Sequence, residues 1–401
     1  MRKLLIIFGV LGMVISSVAQ QITTTNIFSK MDMGPQHVLW DGTNTMLMGF
    51  TSLMMTPIDI PGPTLVYTEG DSVELKLRNM SQSASHTIHL HGLDVDQWND
   101  GVPHLSWEVG HNDTESYYFK APHPGTYLYH CHVTSSLHVQ AGMYGMLIIK
   151  PQNANETWDG GFTFDKEYAW MTSEIDTIWH TDSIINAPHD TTTIMRLLPD
   201  YNPQYFFVNG RAEYQLSDTN VAAITSKANE IVLLRLANIG YFGNRFIFPA
   251  QLNAKIISSD GRPLPNIEIA DTLVLLPGER YQVLLKSAVE FSDSISVDYF
   301  NLNTQNIENT QMIPVNVSGS VSVVEAFSSE LSIYPNPVND KLFSSNFTGE
   351  FLIHDVTGKS VIQGSISSTN SSVDVSELSK GVYIINISDG VSQIIRKFIK
   401  N

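Results

Sequence analysis

At 401 residues the chain is long enough for two or three domains and a sizeable core. Its formal net charge of -17 argues against a nucleic-acid partner, whose phosphates demand basic patches; the charge suits an exported protein and can draw cations toward the surface. One cysteine in the whole chain excludes an intramolecular disulfide, so the core must hold the fold even in an oxidising compartment.

Residues 1–19 open with Arg2 and Lys3, run apolar from Leu4 to Ile15 and end Ser17-Val18-Ala19 before Gln20. Charged start, apolar stretch and small-residue cleavage site together predict a signal peptide. The apolar run is short for a membrane span, which makes an anchor the lesser reading. The expected destination is secreted or cell-surface, reached through the periplasm.

Residues 20–150 show short apolar runs between turn residues, as in Ser72-Val-Glu-Leu-Lys-Leu-Arg78, where apolar and polar residues alternate as in a half-buried strand. Thr126-Tyr-Leu-Tyr129 and Met146-Leu-Ile-Ile149 are further candidates. Long helical periodicity is absent, so an all-β sandwich is expected. Pro122-His-Pro-Gly125 reads as a turn that aims the strand after it. Met31, Met33, Met46, Met48, Met54 and Met55 crowd the first strands. Thioether donors for cuprous ion are one reading; core filling is the favoured one, because Met46-Leu-Met48 alternates like a strand that buries one face.

The chemistry concentrates in residues 86–143, which hold nine of the thirteen histidines and the lone cysteine. Cys131 stands between His130 and His132, with His138 and Met143 following. Thiolate, imidazole and thioether make a soft donor set that favours copper, and the trigonal electron-transfer copper site takes two His, one Cys and a weak axial Met. The second His must come from elsewhere, and His86 is the best candidate. A free thiol exposed in an oxidising compartment would oxidise, which again favours Cys131 as a ligand. His89, His91, His130 and His132 form two His-X-His pairs, and in a strand alternate side chains share a face. Each pair can therefore present two imidazoles on one side, with Cys131 pointing to the other. Isolated histidines such as His37, His104, His111, His123 and His354 are read as ordinary core or surface residues.

His-Thr-Ile-His-Leu-His-Gly from His86 and His-Cys-His…His…Gly-Met from His130 to Met143 resemble the copper signatures of the multicopper oxidases, the laccase-like family. Pro61-Gly-Pro-Thr64, Gly70-Asp71 and Asp100-Gly-Val-Pro103 resemble that family's first cupredoxin domain, in the same order. The resemblance implies that His86, Cys131, His138 and Met143 hold a type 1 copper. It implies too that His89, His91, His130 and His132 supply half of a type 2/type 3 trinuclear cluster, which reduces dioxygen to water.

Residues 151–190 read as a connector, and residues 191–325 as a second β-sandwich. Phe206-Phe-Val-Asn-Gly210, Ile231-Val-Leu-Leu-Arg-Leu236 and Leu273-Val-Leu-Leu-Pro-Gly-Glu-Arg-Tyr281 resemble the family's second cupredoxin domain; no histidine occurs between His189 and His354. Residues 326–401, with Tyr334-Pro-Asn-Pro337 and Lys380-Gly-Val-Tyr383, read as a small β-module and resemble the C-terminal sorting domain of the type IX secretion system of Bacteroidetes. A carbohydrate-binding module is the minor alternative. The predicted fold is thus all-β: two cupredoxin-like Greek-key β-sandwiches followed by a small β-sandwich sorting module, with the type IX machinery as a partner.

In the family a trinuclear cluster takes four His-X-His pairs, and this chain supplies two. His180 and His189 in the connector are too few and unpaired. Two copies related by a twofold axis would supply the full number, and isologous dimers are the commonest assembly, so a homo-oligomer is expected. The expected function is an exported copper-dependent oxidase, taking one electron at a time from a phenolic or metal-ion substrate and passing it to dioxygen. A blue-copper electron carrier or copper-binding protein is the alternative. A copper nitrite reductase fits less well: the resemblance implies an Asp where His89 stands, no His where His132 stands, and a second-domain His. Proton delivery needs a carboxylate near the cluster. Asp100 and Asp94 are the candidates, with Asp96 nearby, and turn chemistry at Asp100-Gly101 is the equal alternative. The acidic residue that several family members carry after the type 1 His is absent, since Val139 stands there.

Overall fold

Alternation decides the first sheet. In the strand Ser72–Asn79, Val73, Leu75 and Leu77 are buried while the residues between them are partly open, so one face packs and the other meets solvent. The computed structural model describes residues 22–319 apart from 35 and 83, and residues 333–401 apart from 345–348, 368–371 and 389–392. The expected signal peptide, 1–19, lies outside the described residues, as does the start of the expected sorting module.

The first sandwich contains β1 (Ile22–Met31), the two-residue ribbon strands β2 (His37–Val38) and β3 (Asn44–Thr45), β4 (Met48–Thr51), β5 (Leu65–Thr68), β6 (Ser72–Asn79), β7 (His89–His91), β8 (Thr114–Lys120), β9 (Gly125–His130) and β10 (Tyr144–Lys150). Its two four-stranded sheets run in the orders β4-β1-β6-β8 and β5-β10-β9-β7. Helix α1 (Ser135–Gln140) fills the link between β9 and β10. Met46 and Met48 are 2% and 0% exposed, and Leu47 is also 0% exposed, which departs from the single buried face expected. The reason is that Met46 and Met48 face the sandwich's own core, whereas Leu47 joins a second apolar cluster outside it. Met33 and Met55 are exposed, so core filling accounts for only part of the methionine cluster.

The second sandwich corrects the expected boundary at residue 191. The supposed connector contains β11 (Lys166–Ile175), which pairs along its length with a later strand, Lys166 with Val232 through Thr172 with Asn238. Trp170 to Ile175 are all buried. A strand covered on both faces shows no period-2 pattern, which is why the sequence hid it. After β11 come helices α2 (Asp182–Ile185) and α3 (Thr191–Leu197), then β12 (Tyr205–Val208), β13 (Ile224–Lys227), β14 (Val232–Asn238), β15 (Gly243–Ile247), β16 (Lys255–Ser259), β17 (Arg262–Ile269), β18 (Thr272–Leu275), β19 (Arg280–Leu285), β20 (Phe291–Phe300) and β21 (Ile307–Ser318). The sheets are β12-β11-β14-β19-β16-β17 and β13-β21-β20-β15-β18.

The helical segment belongs to the first sandwich by packing. Ile184, Ile185, Ala187 and Ile194 are buried in the cluster that also holds Cys131, Leu137 and Met143. Between the sandwiches lies the third apolar cluster, where Leu47, Ile60, Leu128 and Tyr144 meet Met171, Ile175, Phe207 and Ile239. Polar ties cross the same junction, among them Arg262 to Asp94 at 2.6 Å and Lys150 to Glu167 at 2.7 Å.

The chain divides into two compact units, Met1–Ser320 and Val321–Asn401. Within the second, β22 (Ile333–Tyr334), β23 (Lys341–Ser344) and β26 (Ser372–Asp374) form one sheet, and β24 (Gly349–Asp355), β25 (Ser360–Ile366), β27 (Gly381–Ser388) and β28 (Gln393–Lys400) the other. Leu342, Ile353, Val373, Ile385 and Phe398 lie in the core of this unit.

Candidate metal centre

Two donor clusters stand on opposite sides of the end of β9. Cys131 follows the last residue of β9, and its N–H donates to the Met143 carbonyl (3.0 Å) while the Met143 N–H donates to the His138 carbonyl (3.0 Å). His86 is fixed by a backbone bridge, exchanging hydrogen bonds with Val109 at 3.0 and 2.9 Å. The buried Asn79 amide braces the Val109 carbonyl (2.8 Å). These links bring Cys131 Sγ to 3.6 Å from His86 Nδ1 and 3.2 Å from His138 Nδ1. All three residues and Met143 are 0% exposed.

The donor atoms of His86, Cys131 and His138 lie within 4.8 Å of one another, close enough for a single ion to touch all three. Burial pushes the Cys131 thiol up to about 12 and His86 down to about 3, the latter helped by His189. Burial also holds His138 well below its ordinary value. A dry pocket that opposes every ionised form except one compensated by a cation suits a metal ion, and the two-His, one-Cys set with Met143 in the same buried cluster suits copper.

The second cluster shows why His-X-His spacing matters. β7 pairs with β9 so that His89 faces His130 and Leu90 faces Tyr129. Leu90 is 0% exposed on the core side, which leaves His89 and His91 together on the other. Ring centroids lie 5.1 Å apart for His89 and His130, 5.5 Å for His91 and His130, and 5.3 Å for His89 and His132. His89, His91 and His130 have donor atoms within 4.8 Å of one another. His132 belongs to the ring cluster through His89 and through a stack on His130 at 6.0 Å. Burial lowers His91 to about 4, with the Arg280 guanidinium second, and burial lowers His130 to about 3. His91 and His130 are therefore neutral near pH 7 and can offer lone pairs.

The two carboxylate candidates separate. His89 Nδ1 donates to the Asp100 carbonyl at 2.7 Å, and the Asp100 carboxylate lies 3.3 Å from the same nitrogen with a quarter of its side chain open. That bond leaves His89 Nε2 bare. Asp94 instead pairs with Arg262 at 2.6 Å and His123 at 3.3 Å, with 64% of its side chain exposed.

Three residues at the site escaped sequence reasoning. His189 Nδ1 sits 2.7 Å from His138 Nε2. Gly278 brings the turn before β19 against His91, where a Cβ would lie 3.2 Å from His91 Cε1. Arg280, 5% exposed, bonds the Gly278 carbonyl (2.6 Å) and Asp260 (2.9 Å). Both Gly278 and Arg280 stand in the Pro-Gly-Glu-Arg-Tyr motif, whose resemblance to the family's second cupredoxin domain carried no link to the copper-ligand stretch; His189 carried no spacing signal.

Two family models described as multicopper oxidase match residues 41–154 and 177–312, and a model described as secretion system C-terminal sorting domain matches residues 332–401. An L-ascorbate oxidase of Nicotiana tabacum is 26% identical over 279 residues, 63% of this chain and 45% of that protein. Copper resistance protein A of Escherichia coli is 34% identical over 143 residues, 35% of this chain and 21% of that one. The chain thus spans less than half the length of these relatives. Among solved structures, a blue copper oxidase from Nitrosomonas europaea superposes with TM-score 0.60 at 24% identity, covering 74% of this chain and 86% of that one. A copper nitrite reductase from the same organism gives 0.55 at 21%, covering 74% and 94%. At these identities the likeness is one of fold. The chain belongs to the multicopper oxidase family, whose members bind copper, and carries a type IX secretion sorting domain that addresses it for export.

Proposed function

We propose that the protein is an exported, laccase-like oxidase, carried through the periplasm, that takes single electrons from a small phenolic or metal-ion reductant and delivers them to dioxygen. The observation that carries this reading is the placement of Cys131 between His130 and His132: one residue of each cluster adjoins the other through a single peptide bond. His86, Cys131 and His138, with Met143, would hold a type 1 copper; His89, His91, His130 and His132 would hold half of a type 2/type 3 cluster. Copper there would supply reversible one-electron chemistry at the first site and dioxygen reduction at the second.

This chain's residues then have distinct tasks. The apolar wall around Cys131 excludes water from the first site. Cys131 and its two neighbours give a covalent path between the clusters. Asp100 fixes the His89 tautomer through its carbonyl and, with its part-open carboxylate, relays protons from solvent. Asp94 pairs with Arg262 across the junction of the sandwiches at an exposed position. The division into sandwiches at residues 20–150 and from about 166 to 325, and the sorting module at 326–401, form part of this reading.

The half-cluster needs a second half, and the second sandwich contributes no histidine to it. A twofold dimer that brings together His89, His91, His130 and His132 of two copies would complete it. The four-histidine supply also supports a second reading, a blue-copper electron-transfer protein with a vestigial half-site. Copper content per chain, visible and paramagnetic spectra, oxygen uptake and molar mass in solution separate the two. A blue, oxygen-consuming dimer with about five coppers, two type 1 and three shared on the axis, is the expected result. One blue copper per chain without oxygen uptake would replace it with the second reading.

A further inference from the structure

The first cluster is closed to solvent: His86, Cys131, His138 and Met143 are each 0% exposed. No reductant in solution can touch a ligand, so electrons must arrive through an intervening group. His189 is that group by position. It stands between α2 and α3, half-buried, with exposed Pro188 and Asp190 on either side, and its ring centroid lies 4.9 Å from that of His138. The surrounding segment is held firmly: the Thr134 hydroxyl donates to the His189 carbonyl at 2.8 Å, while Ile185 and Ile194 anchor the segment in the core on both sides.

The hydrogen bonds of His189 have only one consistent polarity for a neutral ring. His189 Nε2 faces the Ile185 carbonyl at 2.7 Å, and a carbonyl only accepts, so Nε2 carries the proton and Nδ1 is bare. His189 Nδ1 must then accept from His138 Nε2 at 2.7 Å. This fixes the His138 tautomer with Nδ1 bare, the nitrogen 3.2 Å from Cys131 Sγ. Outer partners of metal-binding histidines set orientation and ligand strength in this manner.

We propose that His189 is the electron entry residue of this protein: an outer-sphere donor docks on its exposed edge, and the His189–His138 hydrogen bond both carries the electron inward and holds His138 in its ligating tautomer. The inference rests on the type 1 reading of the buried cluster. In the step one electron leaves the donor and reduces cupric ion at Cys131 to cuprous; no proton or group moves, and the His189 ring is a bridge rather than a redox intermediate. The donor class is therefore a one-electron reductant without a requirement for hydrogen transfer. The exposed Asp190, next to His189 in the chain, and the net charge of -17 favour a cation.

The test uses the full chain loaded with copper, and hexaammineruthenium(II) as the donor under anaerobic stopped flow. His189→Ala is expected to keep the blue band, to shift the type 1 potential, and to slow bleaching by about 10- to 100-fold. His189→Gln keeps an acceptor for His138 Nε2–H; its paramagnetic spectrum and potential should stay near wild type while bleaching remains slow. In the cuprous form, the His138 Nε2–H proton should exchange slowly by NMR in wild type and His189→Gln, and fast in His189→Ala. Wild-type bleaching rates in either variant with the blue band intact would overturn the entry role alone. Should His189→Ala not fold, His189→Gln decides by the same rate. Absence of a blue band in the copper-loaded wild type would overturn the type 1 reading, and the entry role with it.

Discussion

His91 and Gly278 meet across the junction of the two sandwiches, with the glycine's missing Cβ standing 3.2 Å from His91 Cε1. Gly278 has φ +84°, a left-handed conformation that costs an L-residue roughly 1–2 kcal/mol. The second sandwich, although histidine-free, thereby shapes the half-cluster. Gly278→Ala is expected to lower unfolding free energy by about 1–3 kcal/mol, from backbone strain plus the displaced ring. It should loosen copper at the histidine face while leaving the blue band of the Cys131 site. Denaturant unfolding and copper stoichiometry check this, and unchanged stoichiometry would show that the ring tolerates the methyl group.

Arg235 is 0% exposed between the sandwiches, 2.5 Å from Glu167 and 3.1 Å from Thr126 Oγ1. Removing the guanidinium leaves Glu167 part-open and still paired with Lys150 at 2.7 Å, and both Arg235→Ala and Arg235→Met lose the Arg235 ion pair. Ala also empties buried volume that Met keeps filled, at a further cost of about 2–5 kcal/mol. Arg235→Ala should therefore lower the denaturant midpoint much more than Arg235→Met. Equal losses would show that the lost charge, not packing, is the main contribution at this position.

The same residue shows where the sequence is readable and where it is not. Arg235 sits in Leu-Arg-Leu, which alternates like a strand with one open face, yet every residue of β14 is buried, because that face meets the other sandwich. Alternation reveals a strand's two sides but not what covers them, and for the same reason the residues of β11 read in the sequence as a connector. The ligand-bearing stretch was legible because its chemistry is local: His-X-His on one face and Cys between two histidines need only strand geometry. His189 and Gly278 reach the site by tertiary packing over 51 residues from His138 and across two domains; no short-range pattern encodes that.

Glu174 lies under the junction, fully buried, with Oε1 accepting from the Tyr241 and Phe242 amides and the Tyr201 hydroxyl, and Oε2 without a partner. Burial raises its pKa from 4.5 to about 7, against those hydrogen bonds. A raised folded-state pKa means that the native protein holds the proton more tightly than the unfolded chain. The stability this confers is fully present below pH 4.5, falls as pH rises toward about 7, and is flat above. The slope approaches about 1.4 kcal/mol per pH unit inside that window. Glu174→Gln mimics the neutral acid, so its stability relative to wild type should rise from near zero at low pH to a few kcal/mol at pH 8. Urea unfolding of the metal-free proteins across this range checks the sign; a constant difference would mean that Glu174 is not the titrating group.

Asp100 and Asp94 are the candidates for proton delivery, and they differ in geometry. The Asp100 carbonyl, not its carboxylate, makes the shorter bond to His89, 2.7 Å against 3.3 Å. Asp100→Asn therefore keeps the bond that orients the ring while removing the ionisable group. Anaerobic reduction of the Cys131 site should be unaffected, whereas reoxidation by dioxygen should slow by about 10²-fold, the lower end for loss of a general acid. Asp94→Asn removes only an exposed ion pair and should cost less than about 1 kcal/mol of stability, with reoxidation near wild type. Rapid mixing of the reduced variants with oxygen separates the two steps. If Asp94→Asn slows reoxidation and Asp100→Asn does not, the proton route runs along the Arg262 side of the junction, and Asp100 retains only its backbone role at His89.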